Sequence, residues 1–160
     1  MPLLTQSIAV LGPVGDPYMR LLAQIDALHA QDGAEAAEAA LELEAEAQRI
    51  EHLAVATKAR WYRADALRRA GRIDDALALV RLARTEFATT QPWDMYIAET
   101  WAIERRVCLD AGDADTARTA LRAALAWIEA ALADVPDEFR DSFRHRNPVN
   151  EGLLAARTSL

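Results

Sequence analysis

The chain has 160 residues, 52% of them apolar, the size of one ordinary domain able to bury a real core. Eighteen Lys and Arg against 25 Asp and Glu leave a net charge of −7. That balance argues against a general polyanion binder, whose footprint is a basic domain or a dense basic face. Thirty-five alanines beside six glycines and six prolines favour helix over a β-rich fold, since alanine loses least on entering a helix.

Residues 1–15 hold Pro2, Gly12, Pro13 and Gly15 and read as a flexible lead-in. Met1-Pro2-Leu3-Leu4 lacks a basic region, and Gln6 with Ser7 interrupts the apolar stretch, so no signal peptide is expected. No apolar run approaches the ~20 residues that a bilayer crossing needs. Gly12-Pro13-Val14-Gly15 lacks the Gly-Lys-Ser/Thr ending of a phosphate loop. A single cysteine, Cys108, cannot form an internal disulfide, which makes the cytoplasm the expected location.

Asp16-Pro17 is a helix start, with Asp as cap and Pro in the first turn. Helix-forming sequence then runs to about Thr90, with its main breaks at Gln31-Asp32-Gly33 and Ala70-Gly71. Further breaks follow at Gln91-Pro92 and Ala111-Gly112-Asp113. Three similar glycine turns imply three helical hairpins, and the intervals of 38 residues from Gly33 to Gly71 and 41 from Gly71 to Gly112 suit helix-pair repeats.

Superposing Ala70-Gly71 on Ala111-Gly112 aligns Val55, Ala59, Tyr62, Ala66 and Ala70 with Tyr96, Thr100, Ile103, Val107 and Ala111. The spacing 4, 3, 4, 4 is one buried helical stripe written twice. After the turn, Ala76, Val80 and Ala83 match Ala117, Leu121 and Ala124, a small-large-small set that lets paired helices approach closely. The first hairpin is more degenerate. Leu21, Ile25 and Leu28 face its core, and Leu41 and Leu43 are the larger anchors of its second helix.

Gly71 with Ala76, Val80 and Ala83, and Gly112 with Ala117, Leu121 and Ala124, resemble the second half of a tetratricopeptide repeat. Arg60 and Trp101, and Ala64 and Arg105, depart from the family's first half, and the spacing exceeds its usual 34 residues. The pattern is closer to the long-hairpin superhelices of large bacterial signalling ATPases and transcriptional activators of the maltose-activator type. Residues 135–150 and Leu153-Leu154 resemble the closing segment of such repeat regions. The resemblance implies an all-α fold of three stacked antiparallel helical hairpins, a tetratricopeptide-like right-handed superhelix over residues 16–133, closed by short C-terminal capping helices in 134–160. It also implies the terminal part of such a region, or a free-standing relative without ATPase, kinase or DNA-binding modules.

The C-terminal segment has two readings. Pro136 begins a short helix whose Phe139 and Phe143, at i and i+4, plug the end of the last hairpin; Asn147-Pro148 then starts a helix burying Leu153 and Leu154. Alternatively Arg140, Arg144, His145 and Arg146 receive an acidic peptide or a phosphate, although Asp137, Glu138 and Asp141 nearly neutralise them. Charge is divided unevenly elsewhere too. Residues 32–51 carry seven acids against Arg49, while residues 58–84 carry eight bases against three acids.

On the first helix of the second hairpin, Lys58, Trp61, Asp65 and Arg68 form a stripe at spacing 3, 4, 3. In tetratricopeptide-like stacks such helices line a concave groove, so Trp61 would anchor a partner while Lys58, Arg68 and, in the third hairpin, Arg106 select acidic groups. The competing reading is a solvated face with Trp61 packed between repeats. Trp93, Trp101 and Trp127 read as packing residues, Trp93 anchoring a helix start and Cys108 an inert small hydrophobe. His29, His52 and His145 lack metal-ligand spacing, and Glu51 directly precedes His52, which breaks the Glu-x-x-His pattern of helical di-metal sites. No metal, cofactor or catalytic residue is expected, and the chain reads as no enzyme. The expected function is non-catalytic protein–protein interaction in a bacterial signalling or transcriptional regulatory system. The partner is a protein or peptide, with neither membrane nor nucleic acid. The alternatives are an oligomerisation module, in which the weak first hairpin packs on another copy, or a small-molecule sensor.

Overall fold

The computed structural model describes residues 16–92 and 94–159; the expected lead-in 1–15 and Trp93 lie outside them. The described residues are all-α, with eight α-helices in chain order and no strand among them. These are α1 (Pro17–Ala27), α2 (Gly33–Arg49), α3 (Leu53–Arg69), α4 (Ile73–Glu86), α5 (Ile97–Asp110), α6 (Ala114–Ala131), α7 (Asp137–His145) and α8 (Pro148–Ala155). Among the described residues no helix is long and apolar enough to cross a membrane. The chain divides into two compact units, Met1–Met95 and Tyr96–Leu160, a boundary that falls inside the expected repeat block of 16–133.

In the first unit, the Asp16 carboxylate caps α1 by accepting from the Tyr18 amide at 3.0 Å, and Asp32 does the same for α2 through Ala34. Leu21, Ile25 and Leu28 are buried as the α1 spacing requires. On α2 only Leu43 is a buried large anchor, whereas Leu41 is 41% exposed, which corrects half of the expected pair. Helix α3 packs against both α2 and α4. Small residues make this possible: Ala56, Ala59, Ala64 and Ala66 lie on different sides of α3 and all are buried.

The expected breaks at Gln31-Asp32-Gly33, Ala70-Gly71, Gln91-Pro92 and Ala111-Gly112-Asp113 are all present, but the three similar turns are not the three expected. Gly33 has no left-handed backbone; it opens α2 against the end of α3, where an added Cβ would stand 2.7 Å from the Ala70 amide nitrogen and 2.9 Å from the Ala66 carbonyl oxygen. Its lack of a side chain serves helix contact, so it is not the counterpart of Gly71 and Gly112. The equivalent third turn lies at Glu51, with φ 61° beside 76° at Gly71 and 77° at Gly112. All three turns share one hydrogen-bond scheme. His52 donates to the Ala47 carbonyl at 2.9 Å, Arg72 to Leu67 at 2.9 Å and Asp113 to Cys108 at 2.8 Å, the six-residue bond of a left-handed helix C-cap. Glycine adopts that conformation freely and glutamate under strain.

In the second unit, α5 and α6 form the hairpin that the stripe alignment describes. Thr100, Ile103 and Val107 are buried on α5, as are Ala117, Leu121 and Ala124 on α6, and the matching α3 and α4 positions are buried too. Cys108 is buried. Asn147 caps α8 by accepting from the Val149 and Asn150 amides, with Pro148 in the first turn. Leu153 is buried and Phe143, Leu154, Trp101 and Trp127 pack partly buried on the same cluster. Phe139 is 57% exposed, so it plugs nothing: α7 buries no residue fully, and a spacing of four aligns two side chains without bringing both to a core. Asn150, fully buried, joins α8 to its surroundings by accepting from the Tyr96 hydroxyl and donating to the Phe143 carbonyl, both at 2.8 Å. Burial raises the Tyr96 phenol above its ordinary pKa.

These turns set one expectation for urea unfolding. Gly33→Ala lowers stability by about 1–3 kcal/mol through overpacking against α3, while Glu51→Gly raises it by about 0.5–1 kcal/mol by releasing left-handed strain. Unfolding midpoints that do not separate in that order contradict the assignment of the two positions.

Candidate functional site

The stripe expected to face a groove is largely internal. Lys58 and Trp61 are 1% and 0% exposed and Asp65 is buried, which corrects the reading of Trp61 as an accessible anchor. The Lys58 ammonium, 2.8 Å from an Asp26 carboxylate oxygen, donates to the Asp94 carbonyl at 3.0 Å. Trp61 lies under the Arg84 guanidinium, 4.8 Å from the ring centre. Asp65 pairs with Arg68 at 3.2 Å and Arg69 at 3.4 Å. Arg69 also donates to the Gln31 carbonyl at 2.8 Å, tying the end of α3 to the turn before α2. The physical reason is the position of α3 between two helices, which leaves it no broad solvent face.

Arg60, singled out by its departure from the repeat pattern, carries the central polar contact of this unit. Its Nε and Nη2 each lie 2.7 Å from Glu44 Oε1 on α2, and its Nη1 pairs with Glu86 on α4. One guanidinium thus joins three helices while the Arg60 and Glu44 side chains are only 9% and 10% exposed. The acidic residues 32–51 and the basic residues 58–84 meet here and through Arg63, 3.5 Å from the other Glu44 oxygen.

Among the clefts that the described residues line, two bear on ligand binding. The first, about 490 Å³, lies in the first unit between the start of α1 and the α2–α3 turn, with Tyr18, Glu51, His52 and Leu53 in its lining. The Tyr18 and His52 rings lie 5.1 Å apart. The Tyr18 hydroxyl donates to the Asp94 carboxylate at 2.7 Å, which raises the phenol pKa above its ordinary value. Asp16 is engaged in capping α1, so much of the polar lining already serves the fold.

The second cleft, about 180 Å³, lies in the second unit between α5 and α8. Ala102, Val149 and Leu153 supply an apolar floor, and Arg105 and Arg106 supply its charge. Of the expected site residues, Arg106 lines this cleft, together with Arg105, which was not among the expected site residues. Among the described residues no carboxylate or carbonyl pairs with the Arg105 guanidinium. Two adjacent arginines on a helix otherwise facing a core were the available signal: adjacent residues lie about 100° apart, so both sit at the margin of the buried stripe. Of the C-terminal arginines, Arg140 holds its own segment, donating to the Leu132 and Val135 carbonyls at 3.2 and 3.0 Å and pairing with Asp137 at 2.6 Å. Arg144 is half-buried in the last turn of α7 and Arg146 is exposed just beyond it.

His29 packs edge-on against Tyr62, and among the described residues no group of three or more His, Cys, Asp or Glu is arranged to hold a metal ion. Comparisons with protein-family models, curated proteins and solved structures gave no match to this chain.

The Arg60 contact predicts an asymmetry under mutation. Arg60→Met destabilises the fold by about 3–5 kcal/mol, because Glu44 is left buried with only the longer Arg63 contact, whereas Arg60→Met with Glu44→Leu recovers most of the loss. Denaturant titration checks this, and a double variant as weak as the single one removes the buried pair as the cause.

Proposed function

We propose that this chain is a non-catalytic protein–protein interaction module built of tetratricopeptide-like helical hairpins, serving a bacterial signalling or transcriptional regulatory system. The hairpin reading is supported by the common cap geometry at Gly71 and Gly112 and by the matched buried positions on either side of each turn. The regulatory setting rests on the resemblance of those turns and of the C-terminal segment. The stacked right-handed superhelix belongs to the same proposal.

The α5–α8 cleft carries the binding reading. A cavity of about 180 Å³ is below the 300–1,000 Å³ that small-molecule pockets occupy, yet it has room for an apolar anchor side chain. Arginines at its edge suit carboxylates flanking that anchor, because charge-assisted guanidinium–carboxylate bonds are strong and directional. The partner is thus an acidic peptide or protein segment carrying an apolar residue.

A fluorescent peptide of glutamates around one leucine, titrated in anisotropy, tests this reading. The native chain binds it in low salt, and Arg105→Glu weakens binding by about 10–100-fold, the worth of a charge-assisted hydrogen bond. Arg118→Glu, on α6 and already paired with Asp115, serves as the control that leaves affinity unchanged. Equal affinities for all three proteins rule out the cleft.

One observation favours a second reading, a small-molecule sensor: the cleft beside Tyr18 and His52, at about 490 Å³, falls within the small-ligand range. Under that reading a metabolite screen gives a saturable rise in melting temperature that His52→Ala abolishes. A screen without such a rise removes it.

A further inference from the structure

The acidic ligand that the α5–α8 cleft calls for is present on this chain. The outward face of α2 carries Glu35, Glu38 and Glu42 at spacing 3 and 4, with Leu41 beside them 41% exposed. Among the described residues no cation pairs with any of these three carboxylates. Like charges at such spacing repel across a helix surface, each pair costing about 0.2–0.5 kcal/mol. The other carboxylates of this helix are engaged: Glu44 meets Arg60 and Arg63, and Glu46 meets Arg20 at 2.6 Å. The fold therefore leaves on α2 an acidic stripe with one apolar knob, and between α5 and α8 an apolar cleft edged by Arg105 and Arg106.

We propose that the chain self-associates head to tail, with the α2 stripe of one copy seated on the α5–α8 cleft of the next. Leu41 enters the space above Ala102, Val149 and Leu153, and the α2 carboxylates meet the Arg105 guanidinium. The proposal rests on the cleft being a binding site for acidic segments and names a second copy as the partner. The two surfaces differ, so the contact is heterologous: each copy keeps one surface of each kind to offer, and assembly continues beyond a dimer unless the array closes into a ring. Charge pairing at the rim makes the assembly sensitive to salt.

The test is sedimentation velocity on the full chain from micromolar to near-millimolar concentration, in low and high salt. Two variants are used, one with Glu35→Gln, Glu38→Gln and Glu42→Gln and one with Arg105→Gln, each checked for native circular dichroism and unfolding midpoint. The native chain is expected to gain mass with concentration and to lose that gain in high salt. Each variant alone associates at least tenfold more weakly. Mixed, they form a heterodimer and grow no further, because one retains only its cleft and the other only its stripe. A native chain monomeric throughout, a variant that assembles like the native chain, or a mixture without heterodimers overturns the proposal. The glutamate–leucine peptide separates the two levels of argument. A monomeric chain that still binds the peptide through Arg105 loses only its second-copy partner, whereas failure of the peptide as well overturns the binding site itself.

Discussion

The Arg60 guanidinium, shared between Glu44 on α2 and Glu86 on α4, is the contact on which the first unit turns. Taking a charge out of water is costly, and that cost is offset inside a protein only when partners satisfy the group with good geometry. Helix α3 meets the condition repeatedly. Lys58 finds Asp26 and the Asp94 carbonyl, Arg60 finds two glutamates, and Asp65 finds two arginines three and four residues further along the same helix. These pairs let a helix with charges on several sides lie between two others. They also specify which helices those are, since the partners are single residues at fixed heights on α1, α2 and α4.

Close approach is the second condition, and small residues supply it. Alanines on different sides of α3 allow neighbouring helices to come near, and Gly33 allows the start of α2 to meet the last turn of α3 where even a methyl group has no room. Dense packing and buried ion pairs depend on each other here. A helix held further away would leave Glu44 out of reach of Arg60, and an unpaired Arg60 would draw water into the space that the alanines close.

What the sequence made legible followed from whether the physical cause was local. Asp16-Pro17 and Asn147-Pro148 announce helix starts because an N-cap bond spans only two or three residues. The stripes of α5 and α6 were readable because each helix buries one face, which writes a single period into the chain. The same logic misplaced Lys58, Trp61 and Asp65: a helix packed on more than one side has no single period, and its charges look solvated until their partners are known. That α3 spreads its alanines over several faces was the available sign. The Glu51 turn was hidden because glutamate gives no hint of a left-handed conformation, and Asn150 because its partner Tyr96 lies 54 residues away. Arg106 was singled out and Arg105 was not, since repeat alignment compares equivalent positions and carries nothing of the cleft that a later helix, α8, completes.

A net charge of −7 describes the chain's solubility better than its surface. Folding consumes charge selectively: acids such as Asp26, Glu44 and Asp65 are neutralised by bases at short range, and what remains outside is not a scaled copy of the total. On α2 what remains is acidic around Leu41, and at the α5–α8 cleft Arg105 stands at the edge of an apolar floor. Surfaces of this kind select partners by sign before contact and by shape after it, because Coulomb attraction acts over a Debye length of about 8–10 Å whereas apolar burial acts only on touching. The buried pairing that makes α3 possible is thus also what leaves the α2 face unbalanced: each arginine engaged with Glu44 is one unavailable to Glu38 or Glu42 on the same helix.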